Sequence, residues 1–205
     1  MGLYRDQILP RAIDRMLGVE AIMHERAVVA AGLHGEVVEI GFGSGLNLEV
    51  YPAEVTTVHA VDPAAIGRKL AADRVAASSA EVRHVGLDGE DLPLDDESCD
   101  GALSTFTLCT IPDAQRAVAE VWRVLRPGGA FHVLEHGLAP DPSVVAWQRR
   151  LNPIQRRLGD GCHLDRPHDH MLRDAGFVLE TNHQWYAAGP KPMSRFYRIV
   201  GRKPG

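Results

Sequence analysis

The stretch Val37–Asn47 reads V-V-E-I-G-F-G-S-G-L-N, and its reading decides the fold. An aliphatic run ending at Ile40 makes a short buried strand. Three glycines at every second position, Gly41, Gly43 and Gly45, then open a helix. Glycine there permits positive φ and lets a ligand come against bare N–H groups, with a helix N-terminus behind them. The spacing separates the candidate ligands. A dinucleotide fingerprint, G-x-G-x-x-G, counted from Gly41 and Gly43 needs glycine at position 46, where Leu46 stands. The pattern is instead E-x-G-x-G-x-G. Glu39 at the strand's end sets a carboxylate where a pyrophosphate is repelled and an ammonium is welcomed. A small-molecule site begins at this turn.

Composition bounds what surrounds it. With 45% hydrophobic residues in 205, the chain can bury one substantial core, which suits one domain. A formal net charge of -5 leaves no basic field to hold a phosphate backbone, so nucleic acid is excluded as a partner. No apolar run is long enough for a transmembrane segment. Arg5, Asp6, Arg11, Asp14 and Arg15 break any signal-peptide core, and a cytoplasmic protein is expected. The cysteines, Cys99, Cys109 and Cys162, are odd in number and form no C-x-x-C pair, so reduced thiols are expected.

Apolar positions from residue 3 to residue 31 predict two amphipathic helices broken near Gly18, which cover the sheet or form a lid over an acceptor pocket. A short helix over Leu46–Val50 precedes Pro52, and Thr56–Val61 predicts a second strand ending at Asp62. Asp62 lies 21 positions after Gly41, near the interval of ~20 at which a second-strand acid meets a ribose in doubly wound folds. It could alternatively cap the Ala-rich helix that starts at Pro63 and runs to Ala77. Val82–Leu87 predicts a third strand, followed by D-G-E-D-L-P-L at Asp88–Leu94. There an acid and an amide can read adenine, the Asp88 carboxylate accepting from N6 and the Gly89 N–H donating to N1. A calcium loop from Asp88 fails at Leu92 and Pro93.

A fourth strand at Gly101–Phe106 leads into a helix from Pro112 that ends at Pro127-Gly128-Gly129. A fifth strand spans Ala130–His136, and a helical segment with Val144, Val145, Trp147 and Leu151 runs until Pro153. Cys162, His163, His168 and His170 crowd together, but their spacing matches no usual paired-ligand motif, so no metal is expected. A helix to Ala175 closes at Gly176. Phe177–Tyr186 and Ser194–Lys203 predict a final antiparallel pair. Alternation of strands and helices means an α/β fold with a mostly parallel sheet, helices on both faces and the site at its carboxyl edge.

Glu39–Gly45, Asp62, the D-G-E-D-L-P run and E-V-W-R-V-L-R-P-G-G-A-F at Glu120–Phe131 together resemble the class I S-adenosylmethionine-dependent methyltransferases. A closer resemblance rests on five runs: V-Y-P at Val50–Pro52, V-D-P at Val61–Pro63, T-L-C-T at Thr107–Thr110, L-E-H at Leu134–His136 and D-G-C-H-L at Asp160–Leu164. These are similar to the methyltransferase-like thiol S-methyltransferases, relatives of the quinone and phospholipid methyltransferases. Animal members carry an N-terminal membrane-anchoring segment, and this chain shows none.

The resemblance implies a single-domain, Rossmann-like seven-stranded sheet with an antiparallel last strand, residues 1–35 forming a helical cap on a methyltransferase domain at 36–205. It implies S-adenosylmethionine as cofactor, its methionine part against Gly41, Gly43 and Gly45. Glu39 and Pro63 belong to the same site, Asp62 takes the ribose, and Asp88 and Gly89 take adenine. Thr105 and Phe106 border the methionine and a small-molecule acceptor. Thiol sulfur is the leading acceptor; an amine, phenol, quinone or phospholipid, or a non-catalytic cofactor-binding module, is the alternative. Methyl transfer is an in-line displacement that positioning largely drives, so a base is needed only for a protonated acceptor. His136 and His163 are the candidate bases.

Overall fold

The computed structural model describes residues 8–63, 65–86 and 88–205. Seven strands, β1 (Gly35–Ile40), β2 (Val55–Val61), β3 (Glu81–Gly86), β4 (Cys99–Thr105), β5 (Leu125–His136), β6 (Val178–Tyr186) and β7 (Arg195–Arg202), form one sheet in the order β3-β2-β1-β4-β5-β7-β6. The first five are parallel, and β7 runs antiparallel to both β5 and β6. The described helices are α1 (Leu9–Leu17), α2 (Glu20–Ala30), α3 (Ala65–Ala77), α4 (Ala114–Val124), α5 (Pro142–Leu158) and α6 (His168–Asp174). The strand order turns back between β1 and β4. That reversal leaves a crevice at the carboxyl ends of the central strands.

Successive strand residues point to opposite faces, so each strand feeds two cores. On one face Val38, Ile40, Ala102, Phe131, Val133 and Ile199 pack with Ala117, Val118 and Val121 of α4 and Leu172 of α6. On the other, Val37, Val58, Ala60, Leu103 and Leu134 pack with Val29 and Ala30 of α2 and Ala71 of α3. Nearly every one of these side chains is fully buried, and burial of a Val, Leu, Ile or Phe contributes about 1.5–3 kcal/mol. Helices therefore cover both faces. Among the described residues no helix is long and apolar enough to cross a membrane.

Most element ends fall within one or two residues of the sequence reading, and two differ by more. Helix α5 passes through Pro153 to Leu158 instead of stopping there. The proline frees the carbonyl of Arg149, but both residues are exposed and water can take it. Just before the proline the helix is held by Asn152, whose Nδ2 donates to Asp165 (2.6 Å) and whose Oδ1 accepts from the Leu164 N–H (2.8 Å). Strand β5 starts at Leu125 and absorbs Pro127-Gly128-Gly129, because the segment pairs with the chain's end: Gly128 N–H donates to Lys203 O and Lys203 N–H to Gly129 O, both at 2.9 Å. The parts of the sequence reading that fall on residues 3–7, Ala64 and Leu87 lie outside the described residues.

Candidate active site

The glycine turn folds over the end of β2: Gly41 and Phe42 N–H groups both donate to Val61 O, at 2.9 and 3.2 Å. Its three glycines all have positive φ but do different work. A Cβ on Gly41 would collide with the Thr107 side chain, and one on Gly45 would wedge at 3.2–3.3 Å among Phe42, Ala71 and Leu48. A Cβ on Gly43 would face open space, its nearest neighbour being Gly41 O at 3.9 Å. Gly43 is the glycine of the turn that leaves open space, and its N–H donates to Asp62 Oδ2 (2.8 Å). Gly67 in α3 lets that helix come against the turn, since a Cβ there would lie 2.7 Å from Gly43 O. Its signal in the sequence is a glycine interrupting an Ala-rich helix.

Beneath the turn lies a buried polar network. Glu39, 1% exposed, accepts from Asn47 Nδ2 and from the Tyr51 hydroxyl, each at 2.7 Å. Arg26 of α2 donates through one nitrogen to Asn47 Oδ1 (2.8 Å) and Thr105 Oγ1 (2.6 Å), and its guanidinium lies 5.5 Å from the centre of the Phe106 ring. Burial pushes the Glu39 carboxyl up to about 7, although the hydrogen bonds from Tyr51 and Asn47 and the charge of Arg26 pull it down. Burial likewise lowers Arg26 to about 10. The network couples a carboxyl that titrates near neutral pH to a cation on the preceding helix. Arg26 and Asn47 were not among the residues that the motif singled out; the one signal for Arg26 is a charge among the apolar positions of α2.

A cavity of about 390 Å³ opens at the strand ends, within the range of ~300–1,000 Å³ usual for small-molecule sites. It brings together Glu39, Gly41, Gly43, Asp62, Pro63, Asp88, Gly89, Thr105 and Phe106. Gly45 does not line it, for the packing reason above. Leu9, Ile13 and Leu17 of α1 close one side, and Thr110, Ile111, Pro112 and Asp160 form part of the opposite wall. The Asp88 carboxylate also accepts from the Glu90 N–H (2.8 Å).

The two candidate histidines are elsewhere. Neither His136 nor His163 lines the cavity. The ring of His136 turns to Cys162, with Nε2 3.0 Å from Sγ, and the His163 N–H donates to Cys109 O (2.8 Å). Of the crowded ligands between positions 162 and 170, Cys162 meets Cys109 and His136, while buried His168 donates through Nε2 to His136 O (3.0 Å). The Cys109 thiol and His136 hold the Cys162 thiol well below its ordinary value. Spacing along one segment could not find this group, because its members come from three segments.

Residues 38–133 match the family model described as a methyltransferase domain. The human thiol S-methyltransferase TMT1B is 33% identical to this chain over 92% of the chain and 82% of that protein. The rat thiol S-methyltransferase TMT1B is 36% identical, over 78% of this chain and 69% of that protein. An S-adenosylmethionine-dependent methyltransferase from Thermotoga maritima shares the fold with a TM-score of 0.71 at 21% identity, over 98% of each chain. With the glycine turn, the second-strand acid and the crevice at the strand reversal all in place, the chain belongs to the family of S-adenosylmethionine-dependent methyltransferases that includes the thiol S-methyltransferases.

Proposed function

We propose that this enzyme transfers the methyl group of S-adenosylmethionine to the sulfur of a small thiol. The observation that carries the acceptor assignment is the cavity lining. None of the described residues that line it is a histidine, lysine or cysteine; its bases are the carboxylates of Asp14, Glu39, Asp62, Asp88 and Asp160, and Glu39 is already engaged by Asn47 and Tyr51. An acceptor that gives up its proton in solution is therefore favoured. A thiol, with a pKa near ~8.5, does so far more readily than a phenol near ~10 or an alkyl ammonium near ~10.4. The mouth between Leu9, Ile13, Leu17, Ile111 and Pro112 is apolar, which suits an uncharged thiol stem. The relatives named as thiol S-methyltransferases support the same choice.

The residues present fit the cofactor. Gly43 leaves open the space that a side chain would fill, and Asp62 and Asp88 stand on the same cavity. Gly41 and Gly43 would receive the methionine part, the Glu39 network its ammonium, Asp62 with neighbouring Pro63 the ribose, and Asp88 and Gly89 the adenine. When bound, S-adenosylmethionine supplies an electrophilic methyl group on a sulfonium. Thr105 and Phe106 then fix the line of approach, and α1 excludes water from the reacting atoms. Three buried free cysteines are in keeping with a cytoplasmic location.

Counting S-adenosylhomocysteine formed with thiols, amines, phenols and quinols in parallel tests the acceptor. Thiols are expected to be methylated, at a rate that rises with pH through each thiol's own pKa and with the same profile in His163→Ala. Methylation confined to an amine or a quinol overturns the assignment.

Asp62→Ala is expected to weaken cofactor binding by about 1.5–3 kcal/mol, the usual loss for a hydrogen bond to a charged group. Calorimetry showing unchanged affinity removes the ribose role.

Glu39 gives the site a pH signature. Its carboxyl titrates at about 7 in the free protein, and an ammonium beside it favours the ionised form. Cofactor binding therefore expels a proton below that pH. Affinity is expected to rise as pH climbs towards 7, to flatten, and to fall above ~8 as the ligand's own α-amino group loses its proton. Glu39→Gln should lose the rising arm and keep the falling one; identical profiles in the two proteins would show that Glu39 does not sense the ligand's charge.

A further inference from the structure

Three side chains without a part in cofactor or acceptor binding converge beside the cavity wall. Cys109 follows β4, His136 ends β5, and Cys162 lies between α5 and α6. Their ligand atoms all lie within 4.8 Å of one another. We propose that Cys109, His136 and Cys162 form a zinc site of the Cys2His type.

The donor set selects the metal. Two sulfurs and an imidazole suit a borderline-soft divalent ion, whereas calcium and magnesium require oxygen ligands. Tetrahedral zinc holds its ligand atoms roughly 3.3–3.8 Å apart, so the group closes on an ion with shifts of about an ångström. The site is dry and preorganised. Cys109 and Cys162 are 2% and 6% exposed, and backbone contacts hold each ligand: Cys109 O accepts from His163 N–H (2.8 Å), His136 O meets His168 Nε2 (3.0 Å) and Cys162 N–H donates to Gly159 O (3.1 Å).

The His136 ring presents Nε2 to Cys162 Sγ at 3.0 Å, so the nitrogen that would take the ion faces the sulfurs. The fourth position remains for water or for Gln155, whose side-chain nitrogen lies 3.4 Å from Cys162 Sγ and whose amide can present its oxygen instead. On binding, whichever of the three ligands still carry a proton at their ligating atom release it to solvent, and both sulfurs donate to Zn²⁺ as thiolates; no oxidant takes part.

The ion would brace the acceptor side of the cavity. Thr110 and Asp160, which line it, are one and two positions from Cys109 and Cys162. A single ion at the three side chains would therefore tie two loops and a strand end that otherwise meet only through hydrogen bonds.

The test is a cobalt titration of the reduced, chelator-stripped full chain without oxygen, because cobalt substitutes for zinc and reports thiolate ligation by its sulfur-to-metal charge-transfer absorption. One equivalent is expected to bind, and zinc to displace it. Cys109→Ser and Cys162→Ser should each lose about half of the charge-transfer intensity, and His136→Ala should weaken binding at least ~10-fold, whereas Cys99→Ser, outside the group, should match the wild type. A folded, reduced wild-type chain that stays colourless overturns the proposal even if the variants fail to fold. Full charge-transfer intensity in both cysteine variants overturns it as well.

Discussion

Gly43→Val is expected to fold and to lose cofactor binding by on the order of a hundredfold or more. The position combines a positive φ of 54° with a Cβ direction that opens onto the cavity, so valine would project into the space that the methionine part of the ligand needs. Overfilling a built site costs about 1–3 kcal/mol, each 1.4 kcal/mol being a tenfold change, and local backbone strain adds to it. Circular dichroism with calorimetry separates the two effects. A variant that keeps the native spectrum and wild-type affinity would show that the ligand does not approach the turn at all. Gly45→Val should contrast with it: Gly45 packs against Phe42, Ala71 and Leu48, so the damage there falls on folding rather than on binding.

Arg26→Met is expected to cost about 3–5 kcal/mol of stability, the range for removing one partner from a buried charged network. Methionine keeps an apolar stem against Phe106 but leaves Asn47 Oδ1 without its donor, Thr105 Oγ1 with Asn47 Nδ2 alone and Glu39 without its nearby cation. A drop of that size should appear as a lower denaturant midpoint at an unchanged slope. Glu25→Gln, which breaks the half-buried pair with Arg198 one position away, is the control and should cost no more than ~1 kcal/mol. If the two variants lose stability equally, the network under the turn is no more than a surface ion pair in its energetics.

What the sequence made legible was what is local along the chain. Strand alternation, the glycine spacing and the 21-residue interval from Gly41 to Asp62 concern neighbours or a single supersecondary unit, and the structure assembles them as the pattern predicts. Pro153 misled because its effect depends on whether the freed carbonyl faces water, which periodicity does not report. The Arg26 network was illegible for another reason. Its contacts span up to 79 positions, from α2 to β4, and no repeat or motif connects those residues. Cys109, His136 and Cys162 show the same limit: examined segment by segment, Cys162 belonged with its neighbouring histidines, whereas the fold carries it to a cysteine 53 positions earlier.

The placement of β7 between β5 and β6 sets an order of events for a growing chain. Synthesis runs from the N-terminus, so β6 is made while the only strand it pairs with does not yet exist. Until Arg195–Arg202 emerges, β5 keeps an open hydrogen-bonding edge and the residues of β6 have nowhere in the sheet to dock. The central crevice between β1 and β4 uses none of these late contacts and can form first. Completion of the sheet therefore waits for Arg195–Arg202, and a premature stop before residue 195 removes one strand while orphaning another.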